Sequence, residues 1–250
     1  MSIRVSDVVY RKGGFQLECP DLVITKGAVT GIIGKNGSGK STLLKLLNGG
    51  VKASHGDITV DGKALHEYEF KELSRKVSFV QQEIFDPLGF TVREVLSVSG
   101  YSRDDSETDM VDALREFEIE HLIDRKFSDL SGGERRLVTL AGSIYQNAEI
   151  MLMDEPTTFL DVDKQLLVNQ VIGRLKESGR TIVVVMHDLG AVHSLADEVV
   201  LMRNGTVLHT GETDSTMNRE YLNETFGVDF DIFDTSSGKE FKGRRPAIFQ

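Results

Sequence analysis

The chain has 250 residues, 40% of them hydrophobic and 27% charged, with a formal net charge of −10. That length allows one substantial core near the upper size of a single domain, and the acidic balance speaks against nucleic acid as a partner, since such binders present a basic face. Cys19 is the one cysteine, which excludes an internal disulfide and a cysteine-held metal cluster.

The stretch MSIRVSDVVY lacks the apolar segment of a secretory leader. Apolar runs such as IVVVM (182–186) are far too short to cross a bilayer, so any membrane role is expected to pass through a partner. Residues 3–10 alternate as a strand does, 15–19 (FQLEC) read as its neighbour, and RKGG between them reads as a turn. AVTGII (28–33) reads as a buried strand running directly into glycines, and STLLKLLN (41–48) as a helix that stops at Gly49-Gly50. DITVDG (57–62) and VSFVQQ (77–82) are the next expected strands. Over 92–147 the patterns are helical, with the acidic SRDDSETD (102–109) as a solvated loop or helix start, which predicts a helical insertion. Strands return at IMLMD (150–154) and TIVVVM (181–186), followed by a helix over 162–177 and a short helix from 188. EVVLMRNGTVLHTG (198–211) reads as a hairpin about Asn204-Gly205, and NREYLNETF (218–226) as a closing helix. Alternating strands and helices predict an α/β fold with a largely parallel sheet covered on both faces.

GKNGSGKS (34–41) fits the phosphate-loop pattern in full, between an apolar strand and a helix. Gly34, Gly37 and Gly39 let the backbone curl so that its N–H groups point inward, and the helix adds its positive end. Lys40 is expected at the β- and γ-phosphates and Ser41 at Mg²⁺. The ordinary alternative is a glycine-rich turn before a helix, and the strand–loop–helix context tells against it. The motif does not choose among a kinase, a GTPase, a helicase and a transporter motor. IMLMDEP ends a strand in two carboxylates: Asp154 is placed to assist the metal, and Glu155, pointing differently, to take a proton from an attacking water. An exposed acidic pair at a strand end is common, so this feature gains its meaning from the phosphate loop. His187 ends a third apolar strand. Most such histidines are structural, but the position at the sheet's C-terminal edge would let it donate to a γ-phosphate oxygen.

Taken in order, GKNGSGKST (34–42), FVQQE (79–83), LSGGER (130–135), IMLMDEPTTFLD (150–161) and MHD (186–188) resemble the ATP-binding-cassette ATPases, the motor subunits of membrane transporters, over nearly the whole chain. The resemblance implies a P-loop NTPase core over 1–91 and 148–250, with a mostly parallel sheet and an antiparallel β subdomain. A helical subdomain inserted at 92–147 would carry the LSGG stretch. The cofactors implied are ATP and Mg²⁺. Gly34, Asn36, Gly37, Ser38, Gly39, Lys40, Ser41 and Thr42 would hold the nucleotide; Ser41, Gln82 and Asp154 would serve the metal; Glu155, His187, Gln82 and Lys40 would be catalytic. Tyr10 occupies the place of an adenine-stacking ring, with a strand aromatic packed in the sheet as the alternative. The family pattern has Ser131, Gly132 and Gly133 contact the γ-phosphate held by a second copy, with Asp161 coupling the two sites, so an ATP-dependent dimer is implied.

Residues 83–92 resemble the groove that receives a permease helix, which would place the chain at the cytoplasmic face of the membrane, with an extracytoplasmic binding protein delivering substrate. GFTVREVL (89–96) and REYLNETFGVDFDIFD (219–234) are similar to segments of importers of iron-siderophores, haem and cobalamin. The alternatives are a soluble cassette ATPase in cofactor assembly and an exporter motor; a small-molecule kinase leaves LSGGE without a purpose. Two departures stand out. Gln81 replaces a common proline, which leaves the roles of Gln81 and Gln82 open. Glu134 replaces the commoner glutamine, and its carboxylate is expected to point away from a γ-phosphate while suiting the first helical turn.

Overall fold

The computed structural model describes residues 2–85, 89–102, 107–236 and 238–244. Its strands are β1 (Ile3–Lys12), β2 (Phe15–Ile24), β3 (Val29–Gly34), β4 (His55–Val60), β5 (Lys63–Ala64), β6 (Val77–Val80), β7 (Ile150–Asp154), β8 (Thr181–Val185), β9 (Glu198–Arg203), β10 (Thr206–Glu212), β11 (Asp229–Thr235) and β12 (Gly238–Arg244). Ten of them form one sheet in the order β5-β4-β1-β2-β10-β9-β3-β8-β7-β6, and β11 pairs with β12 separately. From β9 to β6 every pairing is parallel. On the other side β1, β2, β4 and β5 pair antiparallel, joined to the rest through β10.

The central strands are apolar on both faces because both faces are covered. Residues alternate between the two cores with the strand period of two. Val29, Ile33, Met151, Met153, Ile182 and Val184 belong to one core; Ile32, Ile150, Leu152, Val183 and Val185 belong to the other. Helix α1 (Lys40–Leu47) covers the second core through Leu43, Leu44, Leu46 and Leu47. Next in the chain are α2 (Phe70–Lys76), α3 (Val92–Ser99), α4 (Glu107–Arg115) and α5 (Gly132–Gln146). The first core is covered by α5, by α6 (Val162–Glu177) through Val168, Val171 and Ile172, and by α7 (Leu189–Leu195) through Val192. Two short helices, α8 (Thr213–Thr216) and α9 (Arg219–Phe226), follow β10. Between β6 and β7 the regular elements among the described residues are helical, apart from one isolated bridge between Thr91 and Lys126. None of the described helices is long and apolar enough to cross a membrane.

Several elements depart from the sequence reading. The strand expected at 77–82 ends at Val80, leaving Gln81 and Gln82 outside the ladder. The second strand runs on to Ile24. Helix α2 was not anticipated because none of its residues is buried, so FKELSRK carries no apolar stripe. No apolar run marks the β11–β12 hairpin, because β12 (GKEFKGR) carries a single large apolar residue, Phe241. Of the acidic stretch 102–109, residues 103–106 lie outside the described residues, and α4 begins at Glu107.

Candidate functional site

The ends of four strands, β3, β6, β7 and β8, meet at one cleft. Strand β3 delivers the phosphate loop, whose geometry depends on missing side chains. A Cβ on Gly34 would lie 2.2 Å from the carbonyl oxygen of Met202, and Gly39 holds φ at 104° as the cap of α1. The Lys40 side chain folds back over the loop, donating from Nζ to the carbonyls of Gly34 (2.8 Å) and Lys35 (3.1 Å). Burial pulls the Lys40 amine below its ordinary range, opposed by the nearby Glu155 and Asp154 charges.

Strand β7 delivers the carboxylates. Asp154 is 2% exposed. Burial raises its pKa, against a hydrogen bond from Ser41 that lowers it. Glu155 follows in the left-handed region at φ 49°, an uncommon conformation for a non-glycine residue, and its N–H still donates to Val185 O at 3.0 Å. This turn carries its side chain out of the strand alternation and into the cleft. There Glu155 is held from three sides: Gln82 Nε2 donates to Oε2 at 2.9 Å, Thr158 Oγ1 donates to the same oxygen at 3.2 Å, and His187 Nε2 lies 2.6 Å from Oε1. His187 follows β8, just before Asp188 caps α7 by accepting the N–H of Ala191 at 3.0 Å. Of the two glutamines, Gln82 turns its side chain to the site, whereas Gln81 offers its carbonyl to Arg136.

The cleft has a volume of about 510 Å³ and is lined by Phe15, Asn36, Gly37, Gly39, Lys40, Ser41, Thr42, Gln82, Glu155 and His187. Gly34, Ser38 and Asp154 lie beneath this surface, buried. Tyr10 does not line it. Half-buried in β1 opposite Leu17, Tyr10 packs against the second core, and the ring on the cleft wall is Phe15. Phe15 shares a face of β2 with the buried Leu17 and Cys19, toward α1, and its Cζ would be 3.2 Å from a Cβ on Gly39. The signal was the Gly13-Gly14 turn, which makes Phe15 the first residue of its strand. Ser131, Gly132, Gly133 and Asp161 are also absent from the lining. Ser131 caps α5, and Asp161 caps α6 by accepting the N–H of Lys164 at 3.0 Å.

The site fits a magnesium nucleotide. Asp154 Oδ1 and Ser38 Oγ are buried without a hydrogen-bond partner. Among the described residues no three His, Cys, Asp or Glu side chains cluster as a metal cage. A cation held by Asp154 and Ser41 would therefore take its remaining ligands from phosphate and water, as Mg²⁺ usually does.

A family model described as "ABC transporter" matches residues 17–158, from β2 through the carboxylate pair. The chain belongs to that family. It is an ATPase of the family, and the parallel core with its helical cover is the family's fold. The petrobactin import ATP-binding protein of Bacillus anthracis is 33% identical over 255 residues, covering 97% of this chain and 93% of that one. A metal-chelate type ABC transporter in an inward-facing conformation matches with a TM-score of 0.82 at 24% identity, covering 97% of each chain, which is a likeness of fold. A bacterial ABC transporter cassette solved in dimeric form matches with a TM-score of 0.76 at 25% identity, covering 84% of this chain and 98% of that one.

Proposed function

We propose that this ATPase is the motor subunit of an importer for an iron chelate, haem, cobalamin or a related metal complex. Two copies would clamp two ATP molecules and drive a membrane permease from its cytoplasmic side. The observation that carries the reading is the position of Glu155. Its carboxylate lies at the mouth of the phosphate loop, gripped by Gln82 and His187, with Lys40 and Ser41 on the cleft wall.

In this reading Lys40 exchanges its loop carbonyls for phosphate oxygens, and Phe15 stacks on the base. Mg²⁺, when bound through Asp154 and Ser41, supplies charge stabilisation for the phosphates. Glu155 orients the attacking water and accepts its proton, Gln82 fixes the direction of that carboxylate, and the His187 N–H that meets Glu155 here would turn to a γ-phosphate oxygen once nucleotide is bound. Ser131, Gly132 and Gly133 stand away from their own cleft at an exposed helix start, which suits a role at the nucleotide of a second copy. The petrobactin relative supports import of a metal chelate. Phe85 and Phe90, exposed on either side of 86–88, support a docking groove at 83–92, although 86–88 themselves lie outside the described residues.

The test is Glu155→Gln with ATP on a sizing column. The expected result is loss of steady-state hydrolysis together with an ATP-dependent dimer. A variant that stays monomeric and still turns over ATP would sink the shared-site reading.

A further inference from the structure

Arg136 is a long cationic side chain with no solvent exposure. Removing a guanidinium from water costs several kcal/mol unless its donors are matched. Here it meets backbone. Nη2 donates to Asp154 O (2.7 Å) and Glu155 O (2.6 Å), Nε donates to Pro156 O (3.0 Å), and Nη1 donates to Gln81 O (2.5 Å). Three of these carbonyls are consecutive, at the point where the chain leaves β7. The fourth belongs to the residue immediately before Gln82. Burial lowers the Arg136 pKa to about 10, and the Asp154 and Glu155 charges act in the opposite direction. The guanidinium therefore remains charged near neutrality.

The location of Arg136 gives these bonds their meaning. It lies in α5, about 7.5 Å along the helix from Ser131. One planar group thus touches three parts of the site: the helix that begins at LSGG, the segment bearing Gln82, and the strand end bearing Asp154 and Glu155. A planar fork with five N–H donors can span four carbonyls, which a lysine ammonium at one point cannot do.

We propose that Arg136 is a positioning residue for ATP hydrolysis, a buried bolt that makes the LSGG helix, the Gln82 segment and the Glu155 strand end move as one body. It touches no reacting atom. It acts by keeping Gln82 Nε2 within hydrogen-bond reach of the Glu155 carboxylate. The inference rests on the reading of Glu155 as the group that takes the proton from water.

The experiment compares kcat, KM and thermal midpoint for the wild type, Arg136→Lys, Arg136→Met, Gln82→Ala, the Arg136→Lys/Gln82→Ala double variant and Glu155→Gln, all assayed well below the lowest midpoint. Arg136→Lys is expected to lower kcat by about a hundredfold, the scale of a misplaced catalytic group, with KM unchanged because the phosphate loop is untouched. Because Arg136 works through the Gln82 segment, the double variant should be no slower than the slower single variant. Arg136→Met, which buries no charge, should lose kcat as well. A wild-type kcat in Arg136→Lys beside an inactive Glu155→Gln would overturn this inference and leave the Glu155 reading standing. Strict additivity of Arg136→Lys with Gln82→Ala would also overturn it. An active Glu155→Gln would remove the Glu155 reading, and the inference with it.

Discussion

Ser131 and Glu134 cap helix α5 reciprocally. Glu134 Oε2 accepts the N–H of Ser131 at 2.8 Å, and Ser131 Oγ accepts the N–H of Glu134 at 3.2 Å. Two of the amides a helix start leaves unpaired are thereby satisfied. The glutamate in place of the commoner glutamine thus has a local job, with its carboxylate folded back onto the cap rather than swung free of it. Hydrogen bonds from the Ser131 amide and hydroxyl hold the Glu134 carboxyl below the ordinary carboxylate range.

Glu134→Ala should therefore cost about 1 kcal/mol of stability at neutral pH. Because the folded-state pKa is lowered, this contribution is fully present above the unfolded carboxylate value of about 4.3 and is lost as pH falls through the lower folded value. Urea unfolding of both proteins at neutral and acid pH checks this. An equal difference at both would exclude an ionised cap.

Lys40 is satisfied by its own loop through Gly34 O and Lys35 O. Charge-assisted hydrogen bonds to phosphate are worth about 1.5–3 kcal/mol each. Lys40→Ala should weaken ATP binding by one to two orders of magnitude on that scale, measured by titration with a fluorescent ATP analogue. Unchanged affinity would remove Lys40 from the phosphate site.

Asp154 sets stability against the metal-holding role proposed for it. Burial raises its pKa, so the ionised form costs stability at every pH above the unfolded carboxylate value. Asp154→Asn keeps an oxygen that can accept from Ser41 but relieves that cost. The nucleotide-free variant should melt at a higher temperature than the wild type while losing Mg²⁺-dependent hydrolysis. A lower midpoint would show that the attraction of Lys40 and Arg136 outweighs desolvation.

Phe15 lines the cleft and Tyr10 does not, so the proposed stacking role passes to Phe15. Stacking on a base is worth about 1–3 kcal/mol per ring. Phe15→Ala should therefore weaken ATP affinity by roughly tenfold or more, whereas Tyr10→Ala should lower the thermal midpoint and leave affinity near wild type. Calorimetric titration of both variants decides between the two rings, and the reverse pattern would return the role to Tyr10.

The amino-acid order alone determined what depends on near neighbours. The phosphate loop was legible because a strand, three glycines and a helix start are all contained in 28–48, and their phosphate chemistry follows from backbone shape. The central strands were legible because a sheet covered on both faces demands unbroken apolar runs. Ser131 as a cap needed only its own next turn. Contacts between distant segments were decided by the tertiary structure. Gln82, Glu155 and His187 follow three different strands, and only the parallel packing of β6, β7 and β8 brings them together. Tyr10 and Phe15 lie on the same face of the sheet, since Tyr10 pairs with Leu17 and Phe15 shares Leu17's side; only Phe15, at the start of β2, comes up against Gly39 and the phosphate loop. Arg136 was the least legible of all. Between two charged residues and a leucine it reads as helix surface, and its depth is set by how α5 lies across the end of β7, which local propensity does not encode.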